Sequence, residues 1–367
     1  MSDLLAAAAS SLPGLALTLA SFFGVLLVLV VVHELGHFVT AKLAGVTVQE
    51  FGFGYPPRIF GVHYKGTDYT INLLPLGGFV RLLGEEDPKE TGSFASKPIP
   101  IRVVVLAAGS FMNAVLPVFL LTAGFMVPHA VLEGTVRVEQ VAEGSPAAGA
   151  GIEPGDVILR VNDREIKSIQ DVGYNIQLNL GNPMQMTVQR GSQPRTVQVT
   201  PRWQPPSGQG ATGIVIGMPD RQTVTRSLAL PDALALGVRE TFDMPTQFKN
   251  DILGRFAGGS AQGSPVMGPI GIAQVTGEVA KSGVVNLLVL AAGLSMNLAM
   301  INILPIPALD GGRIVFVLLE WVRRGRRIAP EREALVHMVF MGLLLLFIVR
   351  VSFDDVMRIM EGKSILP

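Results

Sequence analysis

Three side chains with metal-binding or acid–base chemistry fall close together in an otherwise apolar run, Val31-Val32-His33-Glu34-Leu35-Gly36-His37-Phe38. Residues four apart share one face of a helix. His33 and His37 can therefore grip a single metal ion, while Glu34 reaches a water beside that ion as a general base. Zinc fits two imidazoles with a neighbouring carboxylate, and it lowers the pKa of a bound water to about 7. The chain has no cysteine, which excludes disulfides and thiolate ligands and leaves nitrogen and oxygen as the donors. Ionisable groups inside a bilayer cost several kcal/mol each and are functional by default, so three in one helical turn point to a site rather than to packing.

A catalytic zinc takes three protein ligands and keeps one position open. The candidate for the third is Asp310, in the run Asn302-Ile303-Leu304-Pro305-Ile306-Pro307-Ala308-Leu309-Asp310-Gly311-Gly312. Its two prolines interrupt a helix and its paired glycines permit a sharp turn. Irregular backbone at membrane depth is tolerated where it is buried in protein or lines a wet cavity.

The elements that must position these groups are membrane helices. Of the 367 residues 49% are hydrophobic and 16% charged, which points to lipid as the solvent. Four stretches have the length and apolarity of spans: Leu15 to Thr40, Val103 to Val127, Val284 to Ile303 and Ala334 to Val349. The first is too long for a signal peptide and lacks a basic start and a small-residue cleavage site. Lys42, Arg58, Lys65, Arg81, Lys89, Lys97 and Arg102 mark the loop after span one as cytoplasmic, and Arg313, Arg323, Arg324, Arg326, Arg327 and Arg332 mark the loop after span three likewise. Both termini are then expected outside, with the segment from about Pro128 to Ser282 exported. Spans one and three run in the same direction, so His33, His37 and Asp310 should meet at one depth, roughly 10 Å inward of Lys42. A formal net charge of zero gives no electrostatic case for nucleic acid.

Val46 to Gly84 is rich in β-branched and aromatic residues, with turns expected at Tyr55-Pro56-Pro57 and Pro75-Leu76-Gly77-Gly78, and it reads as a small cytoplasmic-side sheet. A free strand edge there, around Gly77 and Gly78, would let a substrate add as a strand. Asn297 and Asn302, on the third span, could hold an unwound peptide or an oxyanion, or could bond between helices. Pro201 to Pro219 reads as a Pro/Gly-rich linker, Ser227 to Phe256 as an interfacial helix, and Gly258 to Gly271 as a flexible run.

His33-Glu34-Leu35-Gly36-His37, together with Leu309-Asp310-Gly311-Gly312, resembles the site-2 protease family of intramembrane zinc metallopeptidases, in particular its bacterial branch that clips anti-sigma factors. The resemblance extends to Gly144-Ser145-Pro146-Ala147 and Gly151-Ile152-Glu153-Pro154-Gly155-Asp156, which look like one PDZ domain whose ligand is unknown; Glu133 to Val136 is its candidate binding loop. It implies a polytopic α-helical membrane protein with four transmembrane helices, a cytoplasmic-side membrane-reentrant β-hairpin and one exported α/β PDZ domain. The implied layout is a first transmembrane helix in 1–45, the hairpin sheet in 46–98 and a second transmembrane helix in 99–128. The PDZ domain follows in 129–202, then linker and interfacial helix in 203–282, a third transmembrane helix in 283–312, a basic loop in 313–333, a fourth transmembrane helix in 334–352 and a tail in 353–367.

By the same resemblance His33, His37 and Asp310 are zinc ligands, Glu34 is the catalytic acid/base, and Asn297 and Asn302 contact the substrate. The expected substrates are single-span membrane proteins in a bacterial cytoplasmic membrane, such as anti-sigma factors already cut by another protease or leftover signal peptides. The PDZ domain would either recruit or exclude them. Two residues depart from the family's habit: Ser110 follows Gly109 where proline is frequent, and Arg313 follows the paired glycines where histidine is frequent. The other classes considered are a membrane-anchored PDZ adaptor with a non-catalytic zinc site, which leaves Glu34 without a purpose, and a zinc transporter, which should show internal repeats.

Overall fold

The computed structural model describes residues 2–85, 90–256 and 266–361. In chain order the elements are α1 (Ser2–Leu43), β1 (Val48–Tyr64), β2 (Thr67–Leu82), α2 (Ile99–Met126), β3 (His129–Glu133), β4 (Arg137–Val141), α3 (Pro146–Gly149), β5 (Val157–Val161), β6 (Arg164–Glu165), α4 (Ile169–Leu178), β7 (Met184–Arg190), β8 (Gln193–Val199), β9 (Ile214–Gly217), β10 (Gln222–Arg226), α5 (Leu230–Phe256), α6 (Pro269–Lys281), α7 (Val284–Ile303), α8 (Asp310–Val322) and α9 (Pro330–Met360). They fall into two compact units, one of Met1–Gly124 with Ser264–Pro367 and one of Phe125–Gly263.

In the first unit, Gly14–Leu43 of α1, together with α2, α7 and α9, is long and apolar enough to cross a membrane. Their outward faces carry large apolar side chains such as Leu15, Leu27, Phe119, Leu345 and Phe347. That surface suits hydrocarbon rather than water. Helices α1 and α2 cross closely, because Gly36 has no side chain: a Cβ there would run into the carbonyl oxygen of Ala108 and come within 2.9 Å of Met112 Cγ. Helix α7 stops at Leu304, whose extended backbone precedes Pro305, as the crowding of a following proline ring requires.

Strands β1 and β2 are long and each folds back on itself. Residues 48–53 pair on one side with 78–82 and on the other with 68–71, and 58–64 pair with 67–72. The result is four short antiparallel segments in which Gly78–Leu82 forms an edge. One end is tied to the base of α1 by Lys42 Nζ, which donates to Thr67 Oγ1 at 2.7 Å.

The second unit is a sheet of order β8-β7-β5-β4-β9, with β6 paired to β5, and a separate β3–β10 ribbon. Its core is the alternating apolar set Val136, Val138, Ile158, Val161, Met184, Met186 and Val188, closed by Val172 of α4. Ser168 and Asp171 form a reciprocal cap at the start of α4, which satisfies two otherwise orphaned donors. Arg190 Nε donates to Asp156 Oδ1 at 2.8 Å, and this guanidinium holds the Asp156 carboxyl below the usual carboxylate range.

Several segments differ from expectation. The run 201–219 contains β9, which pairs with β4, so the sheet extends past residue 202 and that stretch is not merely a linker. The basic segment after span three opens with the helix α8, because Ile314, Val317 and their neighbours bury against the cluster around Val105 and Leu106. Glu133 to Val136 is not an open loop: Gly134 N donates to Lys167 O, Ile158 N to Val136 O, and Thr135 N to Asp220 Oδ1. Of the run 258–271, residues 258–265 lie outside the described residues, and 269–271 begin α6.

Helices α2 and α8 are joined by a buried ion pair, Arg102 Nη2 to Glu320 Oε2 at 2.7 Å, with Arg327 Nε 3.2 Å from the other Glu320 oxygen. Removing one partner of such a pair strands a buried charge at a cost of about 3–5 kcal/mol. Glu320→Ala is therefore predicted to lower the unfolding midpoint in detergent clearly, and Arg102→Met combined with Glu320→Leu to recover much of the loss. A single variant as stable as wild type would mean that water reaches Arg102.

Candidate metal centre

His33 and His37 project from successive turns of α1, and Asp310 is the first residue of α8. Their ligand atoms converge. His33 Nε2 lies 3.1 Å and His37 Nε2 3.3 Å from Asp310 Oδ2, and the two imidazole nitrogens are 3.2 Å apart. Zinc bonds to nitrogen and oxygen of about 2.0–2.1 Å in a tetrahedral site place ligand atoms about 3.3 Å from one another. The triangle thus has the size that the ion needs.

Its electronic state also fits. His37 Nδ1 donates to the backbone oxygen of Val105 on α2 at 2.8 Å, so in the neutral ring Nε2 carries a lone pair directed at the triangle. Asn113, fully buried on α2, places its side-chain amide 3.3 Å from His33 Nδ1, and its Oδ1 has no hydrogen-bond partner among the described residues. Amide oxygen and nitrogen are assigned from the network. With the two exchanged, Asn113 accepts from His33 Nδ1–H, and His33 Nε2 is a lone pair as well. Asp310 Oδ2 is buried and has no hydrogen-bond donor among the described residues. Two imidazole lone pairs and a carboxylate oxygen facing one another at such distances repel unless a cation lies between them.

Room for that cation comes from Gly109 of α2. A Cβ at this position would lie 2.7 Å from His33 Nε2 and collide with His37 Nε2. Close approach of a glycine backbone to the ligands is a use of the missing side chain.

The triangle opens into a cavity of about 420 Å³ lined by Glu34, Gly78, Phe79, Val80, Arg81, Leu309 and Arg313 among others. Gly78 packs hard against α1, where a Cβ would come 2.8 Å from Val30 Cγ1 and 2.9 Å from Glu34 Cγ. Arg313 pairs with Glu85 at 3.0 Å on the same rim.

Of the candidates, His33, Glu34, His37, Asp310 and Gly78 are thus brought to one cavity. Gly77 does not line it and sits against the Tyr55 ring. Asn297 is exposed, Asn302 is half-buried, and neither lines the cavity. The third span instead contributes Ser295, whose Oγ donates to the Asn113 backbone oxygen at 2.7 Å. Gly109 and Asn113 were visible in the sequence only as part of Gly109-Ser110-Phe111-Met112-Asn113; a small residue and an amide four apart on one face of an apolar helix were the available signal.

The sequence profile of Peptidase family M50 matches residues 21–347. A protein of Clostridium perfringens is 35% identical over 329 residues, spanning 89% of this chain and 95% of its own length. The regulator of sigma-W protease RasP of Bacillus subtilis is 29% identical over 428 residues, spanning 93% of this chain and 99% of its own. Zinc metalloprotease RasP of Geobacillus kaustophilus is 29% identical over 427 residues, with 93% and 98% covered.

Gly109→Ala is predicted to abolish zinc retention while the protein remains membrane-inserted and folded, read by metal analysis after size exclusion. Zinc retained at wild-type stoichiometry would contradict the assignment of that space to the ion.

Proposed function

The chain belongs to peptidase family M50, and we propose that it is a zinc-dependent intramembrane endopeptidase performing site-2 cleavage of single-span membrane proteins. The observation that carries this is the convergence of His33 Nε2, His37 Nε2 and Asp310 Oδ2 beside a glutamate at the foot of helices suited to a bilayer. These three side chains would hold the zinc, which supplies Lewis acidity and a water made nucleophilic near neutral pH. Glu34, on the same cavity wall, takes a proton from the attacking water at its carboxylate and returns it to the leaving amide nitrogen.

Peptide-bond hydrolysis also needs an extended substrate, since a helix hides its amides. The segment Gly78–Leu82 pairs with β1 along one side and lines the cavity, so its other side is suited to accept a substrate strand. Depth along α1 supports a membrane-reentrant placement for this sheet. It touches α1 at Lys42 through Thr67 and at Val30 through Gly78, a rise of about 18 Å along the helix. Tyr55, Ile59, Phe60, Ile71, Leu73 and Leu74 face outward from it. We assign Asn297 and Asn302 at most a secondary part in substrate contact.

The Lys and Arg distribution supports a cytoplasmic face at the metal end of α1 and both termini outside. The second unit, with its capped α4 against an antiparallel sheet, supports an exported PDZ-like module that selects substrates. The RasP relatives make anti-sigma-factor-like proteins in a bacterial cytoplasmic membrane the substrate class of choice.

The test is cleavage of a single-span substrate, trimmed on its outer side, by purified wild-type protein and Glu34→Gln. Glu34→Gln is predicted to keep its zinc and to lose at least about 100-fold in rate, the lower range of a general-base contribution. Cleavage undiminished in Glu34→Gln would contradict the proposed proton transfer.

A further inference from the structure

Asp310, the third candidate ligand, opens α8 directly after an irregular loop, and that loop has little of its own to hold it. Between the end of α7 and the start of α8 the backbone donors can be followed one by one. Leu304 N donates to Ile301 O, Ile306 N to Leu304 O and Leu309 N to Ile306 O, all local. Pro305 and Pro307 have no N–H. The remaining donor, Ala308 N, bonds to His337 Nδ1 on α9 at 2.8 Å. Ala308 also has a φ of 80°, a left-handed conformation that an L-residue adopts only at a steric cost. A backbone N–H left without an acceptor in an apolar setting adds to that cost.

We propose that His337 is a positioning residue for the metal centre: its Nδ1 lone pair holds the Ala308 amide and so fixes Asp310 as the third ligand. This rests on the metalloprotease reading of the site. The side chain is largely buried, against the Phe316 ring at 5.3 Å between centroids and with Nε2 4.0 Å from Glu333 Oε1. The loop transmits the constraint because it is tightly folded. A Cβ on Gly311 would strike the Leu304 carbonyl oxygen, and one on Gly312 would come 2.6 Å from Pro307 Cα. Movement of Ala308 therefore carries Asp310 with it. Partners that orient a metal ligand commonly change metal affinity by about 10–100-fold when removed.

The experiment compares zinc affinity, by competition with a chelator, and proteolysis in full-length wild type, His337→Leu, His337→Asn and His337→Gln. Asparagine can place an acceptor near the position of Nδ1; glutamine places it one bond further out. His337→Leu should weaken zinc binding by about tenfold or more, His337→Asn should recover most of it, and His337→Gln should not. If His337→Leu fails to fold, the contrast between Asn and Gln decides. Wild-type affinity in His337→Leu, or equal weakness in Asn, Gln and Leu at equal folded yield, overturns the assignment and leaves His337 as packing. Wild-type protein that binds no zinc overturns the metalloprotease reading, and this assignment with it.

Discussion

The first unit is organised around one electrostatic constraint: lone pairs of two imidazoles and a carboxylate are pointed at a common, largely buried centre. Left without a cation they repel at about 3 Å, and the cost of an uncompensated group rises as the dielectric falls. A zinc ion removes the conflict. The same arrangement that would destabilise an empty bundle thus makes the folded state a tight metal binder, since an ion that binds only the folded state adds its binding free energy to stability.

Meeting that constraint requires helices to approach more closely than ordinary side chains allow. Gly36 lets α1 reach the backbone of α2, Gly109 leaves space for the ion, and Gly78 lets the edge strand press on Glu34. The two histidines are then fixed from behind by the Val105 carbonyl on His37, the Asn113 amide on His33 and the Ser295 hydroxyl on the Asn113 backbone. Helix α2 consequently acts as the template of the site although it supplies no ligand. The segment Gly78–Leu82 lies beside the same cavity with one side paired to β1.

Much of this was legible in the residues. The spacing of His33, Glu34 and His37, the break at Pro305 and Pro307, and the apolar runs are local signals, and each corresponds to an observed element. What sequence periodicity missed depends on contacts between distant segments. A free edge near Gly78 was expected, but the double pairing of β1, with 78–82 on one side and 68–71 on the other, is a feature that no alternation pattern reveals. The helix α8 was read as part of a basic loop because Arg323, Arg324, Arg326 and Arg327 directly follow it, and β9 was read as linker because four residues between glycines and prolines carry too little pattern. His337 lies in an apolar run where a lone histidine has no motif around it, and its partner is a backbone amide 29 residues away. Asn297 and Asn302 were singled out by resemblance, and the cavity lies elsewhere.

The most direct measurement of the central claim is zinc X-ray absorption on the purified full-length protein. The account predicts a low-coordinate shell of nitrogen and oxygen at about 2.0–2.1 Å with outer-shell scattering from two imidazoles, falling to one in His37→Ala wherever zinc is retained. A shell of six oxygens, or scattering from two imidazoles that persists without His37, would contradict it.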